Sequence, residues 1–314
     1  MDNEITLGKT GIKISPIGFG LMQWGDRKIT AHQEKPKDDV IRDIYKLALD
    51  AGINFYDTAE LYGNGYSELQ LAKCLRNISN DVVVATKFMP FPWRLHKGEF
   101  KAALQKSLKR LGRDHVDLYQ MHWPFPPVPV STWMDAMAEV MSDGLVRAVG
   151  VSNYSPAQTQ LAFDSLAKYN IPLASNQVKF NLLDQKPIHR GLVDLCKKLG
   201  VTIIAYSPLE KGILTGKYTT ERTPRGLLSW HYNKSFMLKI APLFRIMEEI
   251  GHEHEEATPG QVALNWLISK GAVPIPGART LQQAKENAGT LLWKLTDEEV
   301  NRLDKTYQDV FASG

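Results

Sequence analysis

Short hydrophobic runs alternate with amphipathic segments along most of the chain. The runs are rich in Val, Ile and Phe, which is typical of buried β-strands. Eight strands are predicted, at Pro16–Gly20, Ile53–Asp57, Val82–Lys87, Val116–Met121, Ala148–Val151, Ala174–Val178, Thr202–Tyr206 and Val273–Ile275. Between them, apolar residues recur every three or four positions, as in Phe100, Leu104, Leu108 and Leu111, and predict helices. Eight strand–helix units predict the α/β class, in the form of a (β/α)₈ TIM barrel.

Three segments fall outside this alternation. Residues 4–15 alternate around a Lys-Thr-Gly turn and predict a hairpin at the bottom of the barrel. Residues 207–245 form a connection after the seventh strand that is long for a compact domain. Residues 291–314 add a C-terminal helix that begins near Thr296. No linker or low-complexity tract is visible, so residues 1–314 are interpreted as a single domain.

Composition narrows the class of protein. The 314 residues are 43% hydrophobic and 23% charged, which is ordinary for a soluble globular chain. The net charge of +4 is spread along the sequence and predicts no nucleic-acid partner. Two cysteines far apart in predicted helices argue against a disulfide. No secretory signal or membrane-spanning run is visible, which predicts a cytoplasmic protein, with its oligomeric state open.

Polar residues stand where three successive predicted strands end. Asp57 ends one strand, Lys87 ends the next, and His122 directly follows the third. Tyr62 lies five residues after Asp57 in a predicted loop. In a (β/α)₈ barrel such side chains converge over one mouth. A carboxylate, a phenol, an amine and an imidazole in one place can move a proton near neutral pH.

Each of these residues also has a structural interpretation. Asp57 and Lys87 could form an ion pair at the rim, Tyr62 could cap its loop, and His122 could be a core histidine. Convergence of all four at the functional face of one barrel favours chemistry. No metal site is predicted, since no HExxH pattern occurs. Three tryptophans in or near the predicted loops either line a substrate pocket or pack structurally: Trp24, Trp93 and Trp123.

The segments around these groups resemble the aldo-keto reductases, in particular their NADPH-dependent bacterial and plant-type branch. The resemblance runs from about Leu7 to Leu303. It rests on six motifs in the family's order, of which the first three contain Asp57 with Tyr62, Lys87, and His122. The other three are Gly150–Tyr154, Ala205–Leu209 with Gly212–Lys217, and Ile275–Arg279 with Gln283, Glu286 and Asn287.

The resemblance implies an enzyme that reduces an aldehyde or ketone with NADPH, a cofactor held without a Rossmann fold. Tyr62 would donate the proton to the carbonyl oxygen, and a nearby lysine ammonium would lower the pKa of its phenol below the usual ~10. Asp57 would keep Lys87 charged and oriented, and His122 would place the carbonyl oxygen. An alternative of the same fold is a regulatory NADPH-binding subunit with slow turnover, similar to the β subunits of potassium channels.

The resemblance also implies a cofactor site. Ser152, Asn153 and Gln177 would bind the carboxamide, and Tyr206 would stack on the nicotinamide ring. Arg279 would pair with the 2′-phosphate, although it could instead cap the following helix or be solvated at the rim. The complete set of implied cofactor residues is Gly20, Met22, Ser152, Asn153, Gln177, Tyr206, Ser207, Leu209, Gly212, Lys217, Gly277, Arg279, Gln283, Glu286 and Asn287.

Overall fold

The predicted strands are present and pair in parallel in chain order. The computed structural model describes residues 4–25, 36–76 and 82–312. A hairpin of β1 (Ile5–Thr6) and β2 (Lys13–Ile14) comes first. The barrel strands are β3 (Phe19–Gly20), β4 (Phe55–Asp57), β5 (Val83–Phe88), β6 (Val116–Met121), β7 (Val146–Ser152), β8 (Leu173–Lys179), β9 (Thr202–Tyr206) and β10 (Ala272–Pro274).

Helices cover the outside of the strands. They are α1 (Met22–Gly25), α2 (Asp38–Asp50), α3 (Tyr66–Leu75), α4 (Gly98–Leu111), α5 (Val130–Ser142), α6 (Pro156–Ala167), α7 (Lys186–His189), α8 (Leu192–Leu199), α9 (Lys234–Glu253), α10 (Pro259–Ser269), α11 (Leu281–Gly289) and α12 (Asp297–Ala312). Short 3₁₀ turns lie at Glu210–Thr215, Gly226–Trp230 and Thr290–Leu292. Among the helices described, none is both long and apolar enough to cross a membrane.

Two backbone hydrogen bonds join the first barrel strand to the last and close the sheet. Gly18 N–H donates to the Pro274 carbonyl at 2.9 Å, and Gly20 N–H donates to the Pro276 carbonyl at 3.0 Å. Both glycines are required by close packing, because a Cβ at Gly20 would lie 2.7 Å from the Ile275 carbonyl oxygen. The predicted (β/α)₈ barrel is therefore confirmed.

The N-terminal hairpin fills the bottom of the barrel, as its sequence predicted. Leu7, Ile12 and Ile14 are buried in one apolar cluster with residues that point into the barrel. Those interior residues are Phe55, Val83, Ala85, Leu118, Ala148, Ala174, Ile204, Val273 and Ile275. The lower half of the barrel is thus apolar, and the polar side chains of Asp57, Lys87 and Gln120 lie above this layer.

The ends of two late helices show how local sequence sets the boundaries. The predicted start of the C-terminal helix is confirmed, since the Thr296 and Glu299 side chains each accept the other's backbone N–H at 3.3 and 2.7 Å. The connection predicted through residue 245 ends earlier, at residue 233. Asn233 caps α9 by accepting from Phe236 N–H at 3.0 Å. The helix was missed in the sequence because it continues through Pro242, and a proline usually indicates a helix end.

Candidate active site

Asp57, Lys87, His122 and Tyr62 lie together at one end of the barrel, as their positions in the sequence predicted. Asp57 ends β4, Lys87 is in β5, His122 follows β6, and Tyr62 is in the loop after β4. The Lys87 ammonium donates to Asp57 Oδ1, to the Thr58 carbonyl at 2.8 Å and to the Tyr62 hydroxyl at 3.2 Å. The Tyr62 and His122 rings meet edge to face, with centroids 5.8 Å apart. Phenol, ammonium and imidazole therefore surround one small space.

The Lys87–Asp57 pair is fully enclosed by protein. Lys87 is 0% exposed and Asp57 is 1% exposed. Burial lowers the pKa of the Lys87 ammonium, but the Asp57 carboxylate and the Tyr62 phenol raise it, and the net direction is upward. Lys87 is therefore charged at neutral pH. A buried pair of this kind holds its geometry because separation would leave either charge unpaired.

Tyr62 does not follow the expectation that Lys87 would lower its pKa below that of a free phenol. Burial raises the pKa of the Tyr62 phenol, the Lys87 ammonium lowers it, and Asp57 raises it again. The net direction is upward, because burial, aided by the Asp57 charge, outweighs the effect of the Lys87 ammonium. The phenol consequently keeps its proton throughout the neutral range and remains available as a donor.

His122 is neutral in this environment. Burial, and then the Lys87 ammonium, lower the pKa of its imidazole to about 3. Its Nδ1 atom is buried and has no hydrogen-bond partner among the described residues. Because no acceptor for a proton on Nδ1 is present in the described part of the chain, the neutral ring fits the tautomer with the proton on Nε2, which can donate one hydrogen bond to a substrate oxygen.

The suppressed ionisation of His122 predicts a pH-dependent stability. The folded-state pKa lies below the ordinary value of 6.5, so unfolding takes up a proton below about pH 6.5 and stability falls as pH drops toward 3. His122→Gln removes that ionisation. Urea unfolding is expected to show that, between pH 7 and pH 5, the free energy of unfolding falls by about 2 kcal/mol more in the wild type than in the variant. Equal losses in the two proteins would contradict a buried neutral imidazole.

Two glutamines complete the surroundings of the Asp57 carboxylate. Asp57 Oδ2 accepts hydrogen bonds from Gln177 Nε2 at 2.8 Å and from Gln120 Nε2 at 3.1 Å. Gln177 was expected to bind a nicotinamide carboxamide, and here its amide lies against the Asp57 carboxylate. Gln120 was not identified from the sequence. The available signal was its position two residues before His122, on the same face of β6.

The other residues implied in carboxamide binding form a cluster beside His122. Asn153 Nδ2 donates to the Ser152 hydroxyl at 3.1 Å and to the His122 carbonyl at 3.0 Å. The Tyr206 hydroxyl donates to Asn153 Oδ1 at 2.9 Å. Asn153 has a φ of +63°, a left-handed conformation that asparagine tolerates better than most residues. This backbone geometry directs the Asn153 side chain toward the mouth of the barrel.

The loop after β9 has the features of an anion-binding loop. Ser207, Glu210, Lys211 and Gly212 all have positive φ values, of +50°, +43°, +55° and +87°. A loop that turns in this way can present backbone N–H groups to a phosphate. A Cβ on Gly212 would lie 2.6 Å from the Lys217 ammonium, so glycine is needed for the lysine to lie there. Leu209 lies inside the same turn, and its carbonyl accepts from Gly212 N–H at 2.8 Å.

The predicted adenosine segment lies after β10 and along α11. Gln283 Oε1 accepts from Arg279 N–H at 2.8 Å, and Asn287 Nδ2 donates to the Gly277 carbonyl at 3.4 Å. The Glu286 carboxylate accepts from Gln282 at 3.0 Å. The guanidinium of Arg279 is half-buried, and burial lowers its pKa. The cap of α11 is Thr280 and not Arg279, so the alternative capping role for Arg279 is wrong.

Gly20 and Met22 flank this segment at the end of β3 and the start of α1. Met22 is partly exposed, whereas a side chain at Gly20 would collide with the β10 end of the barrel. The Lys217 ammonium beside Gly212 and the Arg279 guanidinium after β10 are positive charges of the kind that could bind the phosphates of a dinucleotide. On these observations the residues present fit a phosphorylated nicotinamide cofactor.

The three candidate pocket tryptophans differ in exposure. Trp24 is fully buried in the core, and its indole N–H donates to the Ala278 carbonyl at 3.3 Å, so the prediction that it lines a pocket is wrong. Trp93 is exposed after β5 and stacks on Phe91, with ring centroids 4.7 Å apart. Trp123 stacks on Phe125 after β6, with centroids 5.3 Å apart. Trp93 and Trp123 therefore lie on loops that leave the strands carrying Lys87 and His122.

Comparison with known proteins gives a consistent result. The model of the aldo/keto reductase family matches residues 16–308. A chloroplastic pyridoxal reductase of Arabidopsis thaliana is 39% identical over 306 residues, covering 93% of this chain and 83% of that protein. A glycerol dehydrogenase from Gluconobacter oxydans has a TM-score of 0.85 at 27% identity, covering 99% of this chain and 97% of the other. An aldo-keto reductase from Klebsiella pneumoniae, solved in complex with NADPH, has a TM-score of 0.76 at 25% identity. The match covers 98% of this chain and 96% of the other.

These matches span nearly the whole barrel and include the segments that hold the four central residues. Together with the closed (β/α)₈ fold and the convergent site, they show that the chain is an oxidoreductase of the aldo/keto reductase family.

Proposed function

We propose that this protein is an NADPH-dependent reductase that converts an aldehyde or ketone to the alcohol. The observation that carries the proposal is the position of the Tyr62 hydroxyl, 3.2 Å from a lysine ammonium that is itself paired with a buried carboxylate. A protonated phenol beside a fixed positive charge is suited to give up a proton to an oxygen on which negative charge is developing.

The residues divide the chemistry among them. When bound, the nicotinamide supplies the hydride to the carbonyl carbon. Tyr62 gives its hydroxyl proton to the carbonyl oxygen, and the phenolate that remains is stabilised by the Lys87 ammonium. Asp57 holds that ammonium in place. His122, neutral at physiological pH, donates a hydrogen bond to the same carbonyl oxygen and orients it.

The cofactor would lie across the carboxyl ends of the strands. Ser152 and Asn153, beside His122, would bind the carboxamide, and Tyr206 would stack on the nicotinamide ring. The loop from Ser207 to Gly212, together with Lys217, suits the pyrophosphate. Arg279 would bind the 2′-phosphate through its planar guanidinium.

The substrate that we propose is an aldehyde on an aromatic ring. The related Arabidopsis protein is named a pyridoxal reductase, and pyridoxal carries an aldehyde on a pyridine ring. The exposed Trp93 and the partly buried Trp123, on the loops next to the site, offer flat apolar surfaces of the kind that aromatic ligands contact.

The test is the oxidation of NADPH by purified protein with pyridoxal, benzaldehyde, aliphatic aldehydes and simple ketones. We expect loss of NADPH absorbance, with the highest kcat/KM for an aromatic aldehyde. Higher kcat/KM for aliphatic substrates would contradict the proposed substrate class but not the proposed reductase activity. Tight NADPH binding with no turnover above a slow background on any carbonyl would favour the regulatory alternative.

Cofactor preference gives a separate prediction at Arg279. A charge-assisted contact with phosphate contributes about 1.5–3 kcal/mol, or one to two decades in affinity. Arg279→Ala is therefore expected to weaken NADPH binding by roughly ten- to hundredfold and NADH binding much less. Fluorescence titration with both cofactors measures this, with Arg302→Ala as a control that removes an arginine paired on the far helices. Equal weakening for NADPH and NADH would rule out the phosphate contact.

A further inference from the structure

We propose that Gln120 is a positioning residue of this site, whose amide group orients the Asp57 carboxylate and through it the Lys87 ammonium. The inference rests on the proposed function only for the meaning of the kinetic readouts. Gln120 is 0% exposed, so it cannot touch a substrate or cofactor in the mouth. Any effect it has on the reaction must therefore pass through its neighbours.

The register of the barrel places Gln120 beside the catalytic pair. Gln120 is the direct neighbour of Lys87 in the pairing of β5 with β6. Side chains alternate along a strand, so Gln120 points into the barrel on the same face as His122 two residues later. Its Nε2 atom donates to Asp57 Oδ2 at 3.1 Å, while Lys87 occupies Asp57 Oδ1. The two carboxylate oxygens thus have separate partners.

The orientation of the Gln120 amide is fixed by its other end. Gln120 Oε1 accepts from Gln177 Nε2 at 3.4 Å and from the Ser175 hydroxyl at 3.5 Å. With donors on that side, the amide nitrogen faces the carboxylate. The barrel also leaves room for this arrangement, because a Cβ on Gly150 would lie 3.2 Å from Gln120 Cγ and 2.3 Å from Ser175 Oγ.

Gln120 and Gln177 both donate an amide hydrogen bond to Asp57 Oδ2, at 3.1 and 2.8 Å. If Gln177 bound a cofactor carboxamide, as the family resemblance implies, that partner would compete with its bond to Asp57. The layer directly beneath is apolar and includes Ala85, Leu118 and Ala148. A carboxylate oxygen that lost its donors in such surroundings would carry a desolvation cost. Gln120 prevents that loss whenever Gln177 is engaged elsewhere.

The consequence for Tyr62 follows from electrostatics. The ionisable groups that face the Tyr62 phenol are Lys87, Asp57, His122 and Tyr206. The Gln120 amide directs the positive end of its dipole at Asp57 and so moderates the negative field of that carboxylate. Without the amide, the field at Tyr62 becomes more negative, and the phenol becomes harder to ionise.

The central variant is Gln120→Met, which keeps the side-chain length and removes the donor. We expect the Tyr62 titration midpoint to rise by about 0.5–1 pH unit and kcat to fall about tenfold. The KM for the carbonyl and the Kd for NADPH should stay within about twofold, since Gln120 contacts neither ligand. The midpoint is read from the NMR signal of isotope-labelled tyrosine, assigned with Tyr62→Phe, and requires no substrate.

Two further variants keep the test decisive. Ser175→Ala removes only the 3.5 Å contact to Gln120 Oε1 and should leave the midpoint unchanged. Gln120→Glu introduces a carboxyl that can donate to Asp57 only when protonated, so its turnover relative to Gln120→Met should recover as the pH is lowered. If Gln120→Met does not fold, the turnover of Gln120→Glu relative to the wild type over the same pH series carries the test.

An unchanged Tyr62 midpoint in a folded Gln120→Met protein would overturn the proposal, even if thermal stability fell. So would a Gln120→Glu protein with no recovery at lower pH. Failure of the wild type to reduce any carbonyl would instead defeat the proposed function, and the tyrosine titration would still report on Gln120.

Discussion

Tyr62→Phe is expected to reduce turnover by about 10²–10⁴-fold, the range that general acid catalysis contributes. The variant removes one oxygen atom and retains the ring, which meets the His122 ring edge to face. With no proton donor at this position, the developing alkoxide keeps the hydrogen bond of the neutral His122 imidazole and the field of the Lys87 ammonium but receives no proton. NADPH oxidation under saturating substrate measures the loss. The Kd of NADPH should change little, because the hydroxyl bonds to Lys87 and to none of the residues placed to bind the cofactor.

Tyr206→Phe is the matched control for this experiment. It removes a second phenol hydroxyl at the same mouth, one that donates to Asn153 rather than contacting Lys87. We expect the control to weaken cofactor binding and to leave most of kcat intact. Turnover near the wild-type value in Tyr62→Phe, or equal loss of kcat in the two variants, would disprove the assignment of Tyr62 as the proton donor.

The pH profile of the reduction tests whether the pKa of Tyr62 is raised, as the structure indicates, or lowered by Lys87, as expected from the sequence. Because burial outweighs the Lys87 ammonium and the pKa of the phenol lies above its ordinary value, activity should not decline between pH 7 and 9 through loss of the Tyr62 proton. The imidazole of His122 contributes no inflection near pH 6.5 either, since its pKa is about 3. A flat kcat across the neutral range is therefore expected.

The fold was predictable because its signals are local and repeated. Most buried strands are rich in apolar residues, and many covering helices repeat apolar residues every three to four positions. The hairpin, the barrel order and the start of α12 near Thr296 all followed from such patterns. The start of α9 was missed because Pro242 interrupts a helix that tertiary packing of Met237, Ile240 and Leu243 nevertheless maintains.

The site was predictable only as far as strand position decides which side chains converge. Asp57, Lys87 and His122 follow from parallel strands ending at one mouth. The direction of the Trp24 indole could not be predicted from strand position, because a single-turn helix after β3 turns the side chain into the core. The pKa of Tyr62 depends on a balance between burial and two opposite charges, and no spacing in the sequence reports that balance.

Lys87→Met is expected to abolish most activity and to destabilise the fold at the same time. The change leaves the Asp57 carboxylate buried without its cation, and breaking such a pair typically costs about 3–5 kcal/mol. It also removes the positive charge that stabilises the Tyr62 phenolate after proton transfer, so the barrier to that transfer rises. Urea unfolding measures the stability, and NADPH oxidation with an aromatic aldehyde measures the activity.

A double variant separates the two effects. Lys87→Met combined with Asp57→Asn removes both charges, and the new amide can keep one hydrogen bond with Gln120 or Gln177 after reorientation. Stability should recover by more than half relative to Lys87→Met, since no unpaired charge remains buried. Activity should stay low, because the ammonium beside Tyr62 is still missing. Recovery of activity together with stability would mean that Lys87 serves the fold alone, and that another group assists proton transfer from Tyr62.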